Sequence, residues 1–234
     1  MKSLHVISGG AAQGLVARLK PRLQSEQDCI VDGSFGAVGM MKDKLLAGAP
    51  CDVVILTEAL IQELAGQGHV DGTTARPLGV VRTGVAVMTG QPAPAIASAA
   101  DLSALLRRSS GIYFPDPVKA TAGIHFMKVL VALGLDQELA GRLRPFPNGA
   151  TAMREMAKSA ATDVVGCTQV TEILITAGVD LVGVLPKEFE LATVYTAAVS
   201  TRAQQPATAS ALIGMLSDEQ GQPMRLASGF ELVA

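Results

Sequence analysis

At 234 residues, with 49% hydrophobic and 17% charged side chains and a formal net charge of -2, the chain can bury a large core but offers no broad basic surface for nucleic acid. Tryptophan is absent and aromatic residues make up 3%, so neither stacked bases nor sugar rings are an obvious ligand class. Its apolar runs, such as Gly84 to Met88, fall well short of the roughly 18 residues of a membrane span, and no membrane insertion is expected.

Leu4 to Ser8 reads as a buried strand, followed by Gly9-Gly10 and a helix on which Leu15, Leu19 and Leu23 repeat at i, i+4 and i+8. Pro21 is expected to kink or shorten that helix. Cys29 to Ser34 is a second strand, and Phe35 to Gly39 turns into a helix through Leu46, stopped by Gly48 and Pro50. Asp52 to Leu56 lacks alternation, as a parallel strand covered on both faces should, and Thr57 to Leu64 begins a third helix. This β-α-β-α-β-α series places a small, polar or glycine-rich turn at the C-terminal end of each strand, the edge where open parallel sheets bind ligands.

Around Gly79 to Met88 the pattern changes to two short apolar segments separated by Arg82-Thr83, read as a crossing into a second lobe. Asp101 to Arg107 is a short helix, Ile112 to Phe114 a strand, Gln137 to Leu143 a helix and Arg144 to Pro147 strand-like. Asn148 caps a helix with Met153 and Met156 on one face, Asp163 to Cys167 is a strand and Thr168 to Ala177 a helix. Leu181 to Leu185 and Thr193 to Val199 are strands, the latter crossing back. Gln205 to Leu216 is a helix with Ala207, Ala211 and Met215 on one side, and the tail to Ala234 is expected to be helical and packed on the first lobe. The expected lobes are residues 1–82 with 195–234, and 83–194.

The stretch Phe114-Pro-Asp-Pro-Val-Lys-Ala-Thr-Ala-Gly-Ile-His-Phe126 joins a strand end, a polar turn and the start of a helix. The first NH groups of a helix have no intrahelical partner and attract an oxyanion or carboxylate. Thr121 is the expected N-cap, Asp116 before Pro117 a turn-former, and Gly123 the point of close ligand approach. Ile124, Met127 and Val131, with Phe126, Leu130 and Leu133, are expected to face the core of a helix ending at Gly134.

Each candidate residue has a structural alternative. Ser8, Gly9 and Gly10 either offer a hydroxyl and NH groups to a ligand or form a tight β-α turn, and Gly36, Ala37, Val38 and Gly39 pose the same choice. Thr57 either bonds a ligand or caps its helix. Lys119 either pairs with a carboxylate, acts when desolvated as a base, or is solvated in its loop. Thr121, Ala122 and Gly123 are the foremost ligand-binding candidates. His125 either titrates near neutrality as a catalytic group or is a packed core histidine. Asn148 with Thr151, and Thr168 with Gln169, begin further helices that either bind ligand or close their own termini. His5 and His69 lie far from His125 without carboxylate spacing, so neither a metal nor a cofactor is expected. Cys29, Cys51 and Cys167 lack CxxC spacing and read as buried thiols suited to a reducing compartment. No Ser/His/Asp order, P-loop or dinucleotide fingerprint is present.

Val6 to Ala12, Ser34-Phe-Gly-Ala-Val-Gly39, Ala47-Gly-Ala-Pro-Cys-Asp-Val-Val-Ile55, Asp116 to Phe126 and Val194-Tyr-Thr-Ala-Ala-Val199 together resemble the type II periplasmic solute-binding proteins, in particular the molybdate-binding-protein-like group. The resemblance implies an α/β fold of two lobes, each a mostly parallel sheet flanked by helices, joined by two crossing segments, with a small anion in the cleft. It places Ala11 and Val38 where molybdate binders carry serines, Thr168 near an expected tyrosine, and Tyr195 either near the anion or as a packing residue. Fewer hydroxyl donors, at roughly 1 to 3 kcal/mol each, move the expected ligand from molybdate toward a di- or tricarboxylate.

Gly123-Ile-His-Phe126, Thr168-Gln-Val-Thr-Glu-Ile173 and Gly178-Val-Asp-Leu-Val-Gly-Val-Leu-Pro186 look closer to the branch that also contains aconitate isomerase. The expected function is binding of a small anion, with an aconitate-type isomerase and a cytoplasmic ligand sensor as alternatives. The N-terminus carries no apolar leader, which implies a cytoplasmic protein as written, or a periplasmic one with an ABC transporter permease as partner if this is a mature form.

Overall fold

The computed structural model describes residues 2–232. The chain divides into two compact units, one holding the chain up to Val81 and again from Thr193 onward, the other Arg82–Ala192.

The first unit opens with β1 (Lys2–Gly9), a short 3-10 turn (Gly10–Ala12) and α1 (Gln13–Gln27), on which Leu15, Leu19 and Leu23 are buried as their spacing predicts. Pro21 does not shorten α1, which continues past it to Gln27. The ring lies on the exposed face, where water can take over the carbonyl it leaves unbonded, while Leu23 anchors the next turn. There follow β2 (Cys29–Gly36), α2 (Val38–Leu46), β3 (Val53–Thr57) and α3 (Glu58–Gly66). β1 lies between β2 and β3, parallel to both.

β4 (Val70–Met88) runs unbroken through Arg82 and Thr83, where the sequence predicts two segments. The polar break is absorbed because Arg82 forms an ion pair with Glu190.

In the second unit come α4 (Ala99–Arg108), closed by a Ser98–Asp101 capping box, β5 (Ile112–Pro115) and α5 (Thr121–Ala132). Residues 137–143, expected to be helical, form only turns and a 3-10 segment (Ala140–Arg142). Gly141 weakens helix there, and burial of Leu135 and Leu139 needs no regular helix. β6 (Leu143–Phe146), α6 (Gly149–Ala157), β7 (Val165–Gln169), α7 (Val170–Leu174) and β8 (Val179–Val184) complete the unit. β5 pairs in parallel with β6 and β7, whereas the second-unit part of β4 pairs antiparallel with β7 and β8. The β4 ladder reaches Gln169, so Thr168 lies in the strand rather than at a helix start as expected, while Gln169 both ends β7 and occupies the N-cap position of α7.

α5 buries Ala122, Gly123, Phe126, Val129 and Leu130, and Phe126 packs on Phe114 with ring centroids 5.4 Å apart. Ile124 and Val131, expected in the core, are 36% and 60% exposed. The helix is apolar on more than one face, so periodicity alone could not choose the one that packs.

β9 (Ala192–Ser200) returns the chain to the first unit, where it pairs antiparallel with β3. α8 (Pro206–Ser217) buries Leu212, Ile213 and Leu216 beside Met215, and Ala207 is exposed. The larger side chains displace the expected alanine face because they remove more apolar area from water. α9 (Gln222–Ala227) precedes Phe230, which packs into the first unit's core; residues 233 and 234 of the expected helical tail lie outside the described residues.

Asp52 ties this unit together. At 1% exposure, its carboxylate accepts from the backbone NH of His5 at 2.8 Å, Gln204 at 2.7 Å and Gln205 at 2.9 Å. Asp52→Ala leaves these donors unpaired and is expected to cost about 2 to 4 kcal/mol, measured as the change in urea unfolding free energy.

Candidate functional site

The strand ends of the second unit converge on one edge of its sheet. At the β5–α5 turn, Asp116 is the turn-former its position suggests: Oδ1 accepts from the NH of Val118 at 2.7 Å and of Lys119 at 2.8 Å. Ala120, not Thr121, occupies the N-cap, and no side chain caps α5. The reason is that Thr121 already has helical backbone conformation, so its hydroxyl is one position too late to cap. The NH groups of Thr121, Ala122 and Gly123 therefore form the donor end of the helix.

Gly123 also serves a close approach within the protein itself. A Cβ there would stand 2.2 Å from the Asp116 carbonyl oxygen and 2.3 Å from that of Pro115, so glycine lets α5 seat against the backbone of its own strand end. Lys119 is exposed rather than desolvated. His125 is half-buried, and its Nε2 lies 2.7 Å from the Phe189 carbonyl oxygen, to which it must donate.

The α6 terminus is closed internally. Asn148 is its N-cap, with Oδ1 accepting from the Thr151 NH at 2.8 Å. Glu172, unnoticed in the sequence beyond its place in the Thr168–Ile173 motif, supplies the rest. Its Oε1 accepts from the Ala150 NH at 3.3 Å and its Oε2 from the Thr168 hydroxyl at 2.6 Å, with further backbone donation from Gly149 and Gln169. Gly149 has to be small, because a Cβ would fall 1.9 Å from Thr168 Oγ1 and 2.1 Å from Glu172 Oε2. Burial raises the Glu172 carboxyl above its ordinary value of 4.5, with the donors from Thr168, Ala150, Gly149 and Gln169 pulling the other way.

At the end of β7, in α7 and on the facing strand β4 lie polar atoms without partners. Both amide atoms of Gln169 and the hydroxyls of Thr83 and Thr171 are buried and make no hydrogen bond. Thr83 and Thr171 were not candidates from sequence. Their signal appears only when β4 is paired with β7, which places Thr83 opposite Gln169.

In the first unit, the ends of β1, β2 and β3 and the start of β9 share an edge, with Gly9 level with Gly36 and Thr57 with Tyr195. The Ser8 hydroxyl is fully buried and donates to the Gly9 carbonyl at 2.8 Å, so it is turned into the turn itself. Gly10 and Ala11 are buried in the 3-10 turn. A Cβ on Gly9 would meet Val38 Cγ1 at 2.9 Å and Tyr195 Cε1 at 3.0 Å, so these three residues pack together. Gly36 and Ala37 are buried ahead of α2, Gly39 is partly exposed in its first turn, and α2 has no side-chain cap. Thr57 holds the N-cap position of α3 without a capping bond from its side chain. The neighbouring Thr196 hydroxyl is buried and unpartnered.

The cysteines are buried thiols. Burial pushes Cys51 up to about 12 and Cys167 further, so neither is poised as a nucleophile. Among the described residues no group of three or more His, Cys, Asp or Glu could hold a metal, and no helix is long and apolar enough to cross a membrane.

Strand-end donor sites in two α/β units, with the chain passing twice between them, define a solute-binding fold. The chain belongs to the bacterial extracellular solute-binding protein family, whose model matches residues 4–231. It is 24% identical over 228 residues to an aconitate isomerase of Pseudomonas sp, covering 93% of this chain and 83% of that protein. It also resembles the periplasmic molybdate-binding protein of Azotobacter vinelandii, with TM-score 0.81, 19% identity and 99% and 100% of the two chains covered. A sulfate-binding protein of Mycobacterium tuberculosis matches with TM-score 0.74, 19% identity and coverage of 100% and 88%. These structural likenesses establish the type II periplasmic-binding-protein fold.

Two substitutions test the geometry. Gly123→Ala forces α5 off its strand and is expected to cost about 1 to 3 kcal/mol in chemical denaturation. Glu172 has a raised carboxyl in the folded state, so its contribution to stability is full below about pH 4.5 and declines as pH rises toward the folded value. Glu172→Gln removes that decline, and melting temperatures followed from pH 4 to pH 8 should fall less steeply than in the wild type.

Proposed function

We propose that the protein binds a small di- or tricarboxylate at the strand-end edge of its second unit. The supporting observation is internal. The start of α6 already directs backbone NH groups and one hydroxyl at the oxygens of the Glu172 carboxyl, without a cation, and these donors favour its charged form against the burial that opposes it. α5, which follows the strand paired with β6, presents the same kind of helix start with no side-chain cap. An uncapped helix start favours an anion by its partial positive charge, and recognition by neutral donors allows release without breaking an ion pair.

As a transport receptor of the solute-binding family, the protein would deliver this ligand to an ABC transporter permease. The likeness to aconitate isomerase favours a second reading, in which bound carboxylate undergoes a proton shift. His125 is the candidate base in that case, since donation from Nε2 to Phe189 leaves the lone pair of the neutral ring on Nδ1.

Thermal shift and titration calorimetry with citrate, both aconitate isomers, succinate, molybdate, tungstate, sulfate and phosphate test the binding reading. A carboxylate at 100 times its dissociation constant should stabilise the protein by about 2.7 kcal/mol. Stabilisation by none of them, or by the inorganic oxyanions alone, overturns it. Incubation of each aconitate isomer in deuterated water separates receptor from isomerase: interconversion with deuterium uptake, lost in His125→Asn while aconitate binding persists, supports the isomerase.

A further inference from the structure

Backbone NH groups suit any carboxylate, but Gln169 and Thr83 call for a more particular ligand. The two residues are opposite each other on β7 and β4. The Thr83 NH donates to the Leu191 carbonyl at 3.1 Å, and the Thr83 carbonyl accepts from the Leu185 NH at 3.1 Å, so both main-chain groups are engaged away from β7. That leaves Thr83 and Gln169 as a pair without mutual backbone bonds, the arrangement that brings opposed side chains closest and sets them on one face of the sheet. Their exposures are 1% and 3%, and neither the hydroxyl nor either amide atom has a partner. Buried side chains rarely leave this much hydrogen-bonding capacity unused, and a carboxamide needs both an acceptor and a donor to satisfy it.

The amide therefore discriminates between kinds of anion. A ligand made only of acceptor oxygens, such as sulfate, molybdate or fully ionised succinate, can receive hydrogen bonds from Nε2 and from the Thr83 hydroxyl, but it sets lone pairs against Oε1. A ligand with a hydroxyl beside its carboxylate satisfies both ends: the carboxylate accepts from Nε2 and the hydroxyl donates to Oε1. We infer that Gln169, assisted by Thr83, is the specificity-determining residue for a small hydroxycarboxylate. This inference rests on the carboxylate reading above and narrows it to a subclass.

Calorimetric titration with two matched pairs, malate against succinate and citrate against tricarballylate, isolates the hydroxyl, because each pair keeps its number of carboxylates. The wild type is expected to bind the hydroxylated member at least about tenfold more tightly. Gln169→Leu should bring the two members of a pair to within about twofold, mainly by weakening the hydroxylated one. Thr83→Val keeps shape and volume close to those of the parent and removes an unpartnered hydroxyl; it should fold as the wild type does by circular dichroism and reduce the preference in the same direction. Binding of all four acids with no preference for a hydroxyl overturns this inference and leaves the carboxylate reading standing. Binding of none overturns both. A preference that survives in folded Gln169→Leu and Thr83→Val removes these residues from the recognition.

Discussion

A buried carboxylate on a helix start sets the geometry of the second unit. Glu172 has 5% exposure and no cation among the partners that perturb it; its oxygens accept from the first NH groups of α6, the Gln169 NH and the Thr168 hydroxyl, donors that offset part of the burial raising its pKa. Removing a carboxylate from water is costly unless its lone pairs are filled. Those donors must therefore stay in place, and they lie on the β7–α7 turn and on α6. One acceptor consequently locks two strand-to-helix connections to each other and fixes where Gln169 begins. Gly149 belongs to the same constraint, since any side chain there would enter the space of Thr168 and Glu172.

This lock separates helix starts that are already satisfied from those that are not. α6 is closed by Asn148 and Glu172, and α4 by its capping box, whereas α2, α3 and α5 have no side-chain cap. An uncapped start at a strand end keeps its partial charge for a ligand or for water. Asn148 Oδ1 and the Thr168 hydroxyl are thus used within the fold, whereas the helix start at Thr121 to Gly123 carries no side-chain cap. In the first unit, Ser8 is spent on its own turn and Val38, Gly9 and Tyr195 pack together, which leaves the main chain and the Thr57 and Thr196 side chains as polar groups of that edge.

Much of the fold was legible because parallel strands buried on both faces leave long apolar runs between glycine-rich turns. β1, β3 and their helices follow directly from that pattern. Misreadings fell where tertiary pairing outweighs local preference. Thr168 looks like part of a helix start until β4 extends the ladder past it to Gln169, the N-cap of α7, and α5 offers several apolar faces of which Phe114 selects one. Pro21 does not end α1, because its position, exposed on the helix, matters more than its presence. The site was legible as a set of turns but not in its polarity. Glu172 and Thr83 carry no motif of their own, and their significance lies in long-range partners or in the lack of them. Gly123, expected from the sequence to admit a ligand, also admits the Pro115 and Asp116 carbonyl oxygens, a packing role that only the folded chain reveals.

On the carboxylate reading proposed above, recognition by neutral groups also limits what chemistry the edge can support. Proton abstraction next to a carboxylate builds negative charge, and catalysis requires donors that bind this charge more tightly in the transition state than in the bound acid. Helix NH groups meet that requirement, because they are fixed in direction and need no reorganisation as the charge forms. A base must then take the proton without losing its place. Glu172 is poorly suited, since both its oxygens are engaged and its removal from those donors would open two connections. His125 is held by one ring nitrogen at the Phe189 carbonyl, which fixes the tautomer while leaving the other nitrogen its lone pair. On that reading the same donors serve a receptor and an isomerase alike, and the difference between the two rests on whether Nδ1 of a neutral His125 reaches the carbon framework of the proposed acid.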